Sequence, residues 1–222
     1  MAKRFFTSDW HLNSEGTRSV CNRPFKTVEK MNDRIIANAN NRAKSRSDII
    51  IHVGDFCQRG DDNHYKTEEL RGGVNTNPST FIDKITATFV NIEGNHDENN
   101  GVRSIGRNII TKIGMFYDAS VGHYPSWYED ARGTFISHRN QVPWTIRLCG
   151  HVHGAWKHKI DFENNILNIN VGVDVWKYNI VSESDILGYV GHIAKDVTKQ
   201  IVDWRSAQQS KHCKKCKMES RW

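Results

Sequence analysis

The apolar positions of this chain follow two rhythms, one of strands and one of helices. Residues 3–8 read as a short strand, and over 24–43 Phe25, Val28, Met31, Ile35 and Ile36 recur at helical spacing. Pro24 suits the first turn of that helix, where a missing N–H and a fixed φ cost nothing. The run over 48–54 carries Ile49, Ile50, Ile51 and Val53 without alternation, as expected of a strand covered on both faces. A polar, glycine-containing stretch over 64–77 reads as a loop, and a short helix over 79–85 leads to a strand over 87–93. Further strand-like runs fall at 109–117, 119–122, 134–137, 145–149, 159–162 and 166–171. The chain closes on a helix for which Ser182 and Ser184 offer N-caps, and in which Ile186, Leu187, Val190, Ile193, Ala194, Val197 and Ile201 share a face.

Strand, helix, strand, helix, strand, then mostly strands, then helix predicts an α/β fold of two packed β-sheets flanked by helices. The 222 residues fit one domain, read as 1–208, followed by a basic C-terminal tail over 209–222. With 37% hydrophobic and 25% charged residues, disorder is not expected away from the ends. The N-terminal residues reach Asp9 and His11 before any long apolar run, so no secretory signal is expected, and no window is fit to span a bilayer. Cys21, Cys57, Cys149, Cys213 and Cys216 are an odd, scattered set, which predicts reduced thiols and a cytoplasmic location. The formal charge of +6, much of it in 211–222, permits a nucleic-acid partner without specifying one. Cys213 and Cys216, beside His212, have the spacing of half a zinc ribbon, but no second such pair completes four ligands, and a solvated basic tail is the plainer reading.

Five short stretches carry the candidate chemistry, each leaving an expected strand: Asp9-Trp10-His11, Gly54-Asp55, Gly94-Asn95-His96-Asp97, Gly122-His123 and Gly150-His151-Val152-His153. Carboxylate, amide and imidazole donors suit Mn²⁺, Fe, Zn²⁺ and related ions, and the lack of a cysteine cluster among them argues against a structural zinc site. In an extended Asp-x-His the two side chains face the same side, so Asp9 and His11 can share one ion while Trp10 turns away. The same logic pairs His151 with His153 if their turn is extended; a tighter turn sends the two imidazoles to separate ions. Glycines at 54, 94, 122 and 150 permit sharp backbone departures. His52, inside a buried-looking strand, reads as a core histidine.

These stretches, in this order, resemble the calcineurin-like metallophosphoesterases, whose pattern of D-x-H, G-D, G-N-H-D/E, H and G-H-x-H is complete from Asp9 to His153. The resemblance is to small prokaryotic or phage-type members, and the segment from Asn170 to Trp176 is similar to one that follows the last motif in them. It implies a four-layer α/β/β/α sandwich of mixed sheets. It also implies two divalent ions (Mn²⁺, Fe, Zn²⁺ or Ni²⁺): Asp9, His11 and His153 on the first, Asn95, His123 and His151 on the second, with Asp55 bridging. Ions about 3.5–4 Å apart share a hydroxide, aim it at phosphorus and neutralise phosphoryl charge. By the same resemblance His96 protonates the leaving oxygen and Asp97 orients its ring.

Some assignments stay open at this level. His138 also follows a strand-like run and competes with His123 for the fourth motif. Gly54-Asp55-Phe56-Cys57-Gln58-Arg59-Gly60 resembles the G-D-x-V-D-R-G of the protein Ser/Thr phosphatases, with Gln58 in place of the acidic residue. Arg59, and Arg103 further on, are candidates to grip phosphate or to face solvent. Trp127, Tyr128, Trp144, Trp156 and Trp176 either stack a nucleobase or fill the core. The function expected is metal-dependent hydrolysis of phosphomonoesters or phosphodiesters, on a phosphorylated small molecule, a nucleotide or nucleic acid. The alternatives are a nuclease or nucleic-acid binder, motivated by charge, and a non-catalytic binding module on the same fold.

Overall fold

The computed structural model describes residues 2–58, 77–97, 100–115, 117–128 and 144–219, with side chains as far as residue 209. In the first sheet β1 (Arg4–Thr7), β2 (Ile49–Val53) and β3 (Thr88–Ile92) run parallel, in register from Phe5 to Ile50 and from Ile50 to Phe89. Placing β1 inside the sheet, β9 (Val181–Ser182) joins its other edge antiparallel, giving the order β3-β2-β1-β9. The second sheet has the order β4-β5-β6-β8-β7, built from β4 (Asn108–Ile113), β5 (Tyr117–Gly122), β6 (Thr145–Cys149), β7 (His158–Asp161) and β8 (Ile166–Asn170). Here β5, β6 and β8 are parallel, while β4 and β7 flank them antiparallel.

Alternate residues of the first sheet feed two cores, which explains the unbroken Ile run. Phe6, Ile51 and Val53 pack toward the second sheet with Val121, Ile146, Leu148 and Ile169. Phe5 and Ile50 face Met31, Ile35, Ile36 and Ala39 of α2 (Val28–Arg42). The closing helix, residues Glu183–Glu219, inserts Ile186, Val190, Val197 and Ile201 into the first of these cores, as its spacing predicts. Its cap is reciprocal: Asp185 N–H donates to Ser182 Oγ while the Asp185 carboxylate accepts from Ser182 N–H. Helical backbone continues to Glu219, through most of the stretch read as a tail.

Several boundaries differ from the expected ones. Helix α2 starts at Val28 because Thr27, in extended conformation, accepts a hydrogen bond from Lys30 N–H; Pro24 lies in the segment before it. Strand β4 turns at Gly114, with φ 61°, so that Lys112 pairs with Asp118, which corrects a strand read through to residue 117. The short α1 (Glu15–Val20), capped by Ser14, carries no apolar periodicity to announce it. The helix expected over 79–85 is α3 (Ser79–Ile82). The run at 134–137 lies outside the described residues.

Because the parallel strands of each sheet point one way, their C-terminal ends form a common rim. Ser8, just past β1, forms a parallel bridge to Gly172, just past β8, and Val173 N–H donates to Ser8 C=O at 3.1 Å. The two rims therefore meet at one mouth, where loops after strand ends deliver side chains. Among the described residues no helix is long and apolar enough to cross a membrane.

Candidate metal centre

The loop after β1 is zipped onto the loop after β2: Asp9, His11 and Leu12 N–H donate to the carbonyls of Gly54, Asp55 and Phe56, each at 3.0 Å. Trp10 turns into the core, fully buried, and donates from Nε1 to Thr7 Oγ1. The Asp-Trp-His step is not extended, however. Asp9 and His11 have φ of 58° and 46°, and Asp55, His151 and His153 also occupy the left-handed region. A non-glycine residue there costs about 1–3 kcal/mol, tolerated where surrounding structure enforces it.

Two overlapping clusters result, each with one donor atom per residue and all such atoms within 4.8 Å: Asp9, His11 and His153, and Asp9, Asp55 and His123. Asp55 Oδ2 lies 3.4 Å from His11 Nε2 and 3.2 Å from His123 Nε2, between the two groups. Asn95 Oδ1 extends the second group, at 3.0 Å from His123 Nε2 and 3.1 Å from His151 Nδ1. His151 and His153 thus diverge, one toward each group, as the tighter of the two turns read from sequence requires. His123 lies in the second cluster; His138, its competitor for the fourth motif, and Arg59 lie outside the described residues. Arg103 is exposed and is not one of the residues that make up either cluster.

Other side chains hold these donors in aim. His123 Nδ1–H donates to Val53 C=O at 2.9 Å, which turns Nε2 toward Asp55. His153 Nδ1 lies 3.1 Å from Asp174 Oδ2, and Arg23 meets the same carboxylate with Nε and Nη2, both at 2.8 Å. Arg23, buried, also donates to the carbonyls of Asp9 and Trp10. Asp97 acts as a clamp: its carboxylate accepts from the backbone N–H of Asp55, Phe56 and Gly94 and from the amides of Asn91 and Asn100. The His96 backbone N–H donates to Asp55 Oδ1, fixing the other oxygen of that carboxylate. Sequence reasoning missed Arg23 and the work of Asp174, and gave Asp97 only the His96 ring to orient.

Glycine serves this mouth chiefly by close approach. Gly54 has φ 90°, and a Cβ there would sit 2.5 Å from His123 Nδ1. A Cβ on Gly150, whose φ is not positive, would overlap Ser8 Oγ and lie 2.5 Å from Asp9 Oδ2. The sharp departure expected at position 150 is instead a close packing of backbone on carboxylate.

The electrostatics favour added positive charge. Burial opposes ionisation of His123, yet the Asp55 carboxylate outweighs it and pushes the imidazole up to about 9. Burial likewise works against the charge on Asp55, but His123 and His11 hold its carboxyl well below the usual carboxylate range. His11 and His151 are lowered, mainly by burial. His11 Nε2 is buried and, among the described residues, makes no well-aligned hydrogen bond, although it lies 3.4 Å from Asp55 Oδ2. A buried ring nitrogen left unbonded beside a carboxylate costs free energy that a shared cation recovers. Carboxylate, imidazole and amide donors fit divalent cations of the Mn²⁺, Fe²⁺, Ni²⁺ and Zn²⁺ kind. His52 stays in the core: burial lowers it to about 4, and Nδ1 pairs with Asn91. Trp144 is also core, whereas Tyr124 and Tyr128 stack on each other with ring centres 4.8 and 5.1 Å from that of His151.

The chain is 33% identical over 98 residues to uncharacterized protein MJ1445 of Methanocaldococcus jannaschii, which covers 44% of this chain and 48% of that protein. It thus spans about half the length of this curated relative. The crystal structure of AQ665, a protein of unknown function from Aquifex aeolicus, superposes with a TM-score of 0.56 at 17% identity, covering 85% of this chain and all of that one, and shares the fold. The family model for calcineurin-like phosphoesterases matches residues 3–206. With sheets, rim and donor clusters arranged as described, this chain belongs to the calcineurin-like phosphoesterase family.

Proposed function

We propose that the protein hydrolyses phosphomonoester or phosphodiester bonds at a centre for two divalent cations. Asp9, His11 and His153 would hold one, Asn95, His123 and His151 the other, and Asp55 would lie between. The observation that carries this reading is Asp55 Oδ2, poised 3.4 Å from His11 and 3.2 Å from His123, one histidine of each group. Cations bound there acidify water and neutralise phosphoryl charge. The protein's own share is positional. Arg23, Asp174, Val53 and Asp97 aim the donors, and the left-handed backbone of the loops keeps them aimed.

His96 is the candidate proton donor to the leaving oxygen. It is half-buried at the rim, its backbone pinned to Asp55 and its ring centre 5.1 Å from that of His11. A nucleotide or nucleic-acid substrate is favoured by the Tyr124–Tyr128 stack beside His151, with Tyr128 37% exposed, since such a face stacks a base. The test is Asp55→Asn. Hydrolysis of an aryl phosphate should fall by at least about a thousandfold, with metal content per chain falling alongside. Wild-type turnover with metals retained would reject the assignment.

A further inference from the structure

A cavity of about 740 Å³ opens between α2 and the segment after the 3₁₀ turn Val173–Trp176, and none of the seven ligand candidates lines it. Its walls are cationic: Lys30 and Arg34 stand one turn apart on α2, Lys26 precedes the helix cap, and Lys177 comes from the opposite side. Four cations there face the single carboxylate of Asp33. The apolar part is the pair Phe25 and Tyr178, edge to face with ring centres 4.7 Å apart. Lys177 and Tyr178 are consecutive non-glycine residues with φ of 54° and 59°. Lys177 ends the 3₁₀ turn in that conformation, but a second such residue beside it persists only where neighbours enforce it, and ligand clamps are among the places where such strain clusters. The enforcing bonds are Asn38 Nδ2–H to Tyr178 C=O at 2.8 Å and Tyr178 N–H to Val173 C=O at 2.9 Å.

We propose that this cavity binds a nucleoside polyphosphate unit, its base against Phe25 and Tyr178 and its phosphates against Lys26, Lys30, Arg34 and Lys177. An inorganic anion would leave the rings unused, and a neutral aromatic would leave the cations uncompensated; a nucleotide satisfies both, and the volume is of the size that takes one. The floor is shared with the metal centre. Phe25 N–H donates to Arg23 C=O, and the bond from Tyr178 to Val173 adjoins Asp174, so an occupant rests against the pair that aims His153. Free nucleotide and the phosphorylated end of a nucleic-acid strand present the same chemistry.

Photolabelling the full chain, as purified with its metals, with 8-azido-ATP locates the occupant. Label is expected on peptides containing Phe25 or Tyr178, with inorganic triphosphate competing about tenfold less well than ATP. Lys30→Glu with Arg34→Glu should cut labelling at least about tenfold while leaving the unfolding midpoint and aryl phosphate hydrolysis unchanged. Tyr178→Ala should lower the preference for ATP over triphosphate. A 5′-phosphorylated oligonucleotide that displaces ATP identifies a strand end as the occupant, and one that does not identifies free nucleotide. Label confined to the Tyr124–Tyr128 segment, or undiminished in the double variant, would overturn the proposal. Because labelling is read independently of turnover, its failure is distinct from failure of the hydrolytic assignment.

Discussion

Asp174→Asn probes how much the support behind His153 contributes. Asparagine keeps the shape and one acceptor but removes the charge that Arg23 and His153 share. Burial alone would raise the Asp174 carboxyl, yet the His153 hydrogen bond and Arg23 outweigh it and bring it from an ordinary 3.8 to about 2. A folded-state value nearly two units low corresponds to about 2 kcal/mol of stability. Because the folded value is depressed, that stability is fully present above the unfolded value and is lost as pH falls through the folded one. Urea titrations in chelator should therefore show the variant about 2 kcal/mol less stable at pH 7, with the gap shrinking to about half by pH 3. With His153 less firmly aimed, calorimetric titration should find Mn²⁺ bound about 10- to 100-fold more weakly at one site. A gap under about 0.5 kcal/mol at pH 7, or one that does not shrink on acidification, would refute the reasoning.

Other parts of the mouth are open to similar tests. Asp97→Asn turns an amide N–H₂ toward backbone donors that now meet a carboxylate, so urea unfolding should register a loss of about 2–4 kcal/mol; a variant as stable as the parent would show that the clamp is dispensable. Gly150→Ala forces a methyl onto Ser8 and Asp9, and thermal unfolding should reveal about 1–3 kcal/mol of destabilisation together with lost metal. His96→Ala should slow alkyl phosphates by about 10²–10⁴ and aryl phosphates with good leaving groups far less; equal losses on both would remove His96 from the role of acid.

The strands were legible because apolar β-branched runs leave little else for Ile49, Ile50 and Ile51 to do. The candidate donor residues stood out because they leave strand ends in a fixed order, and the fold brings several of them together. What escaped were features that depend on distant or atypical partners. Arg23 and Asp174 meet from opposite parts of the chain, and nothing local to either marks the pairing. The left-handed backbone at Asp9 and His11 was hidden because, although Asp and His enter that region more readily than most side chains, it is imposed by the bonds to the loop after β2, and Asp-Trp-His by itself fits a strand-like spacing equally well. For Asp97 the family resemblance pointed to the His96 ring, while its carboxylate folds back onto the amides of two loops. Strand β9 is two residues long, too short for any periodicity to register.

The placement of β1 bears on how the protein is made. Synthesis delivers this strand and Asp9 ahead of β2 and β3, but β9, its second edge partner, and Gly172, which bridges to Ser8, follow all the candidate ligand residues along the chain. A nascent chain therefore carries every candidate ligand from Asp9 to His153 before it has the frame that gathers them, and β1 must wait with one edge open to unwanted pairing. A chain interrupted before β9 would be a candidate for chaperone capture, because its carboxylates and imidazoles are gathered only once that strand and the bridge to Gly172 have docked.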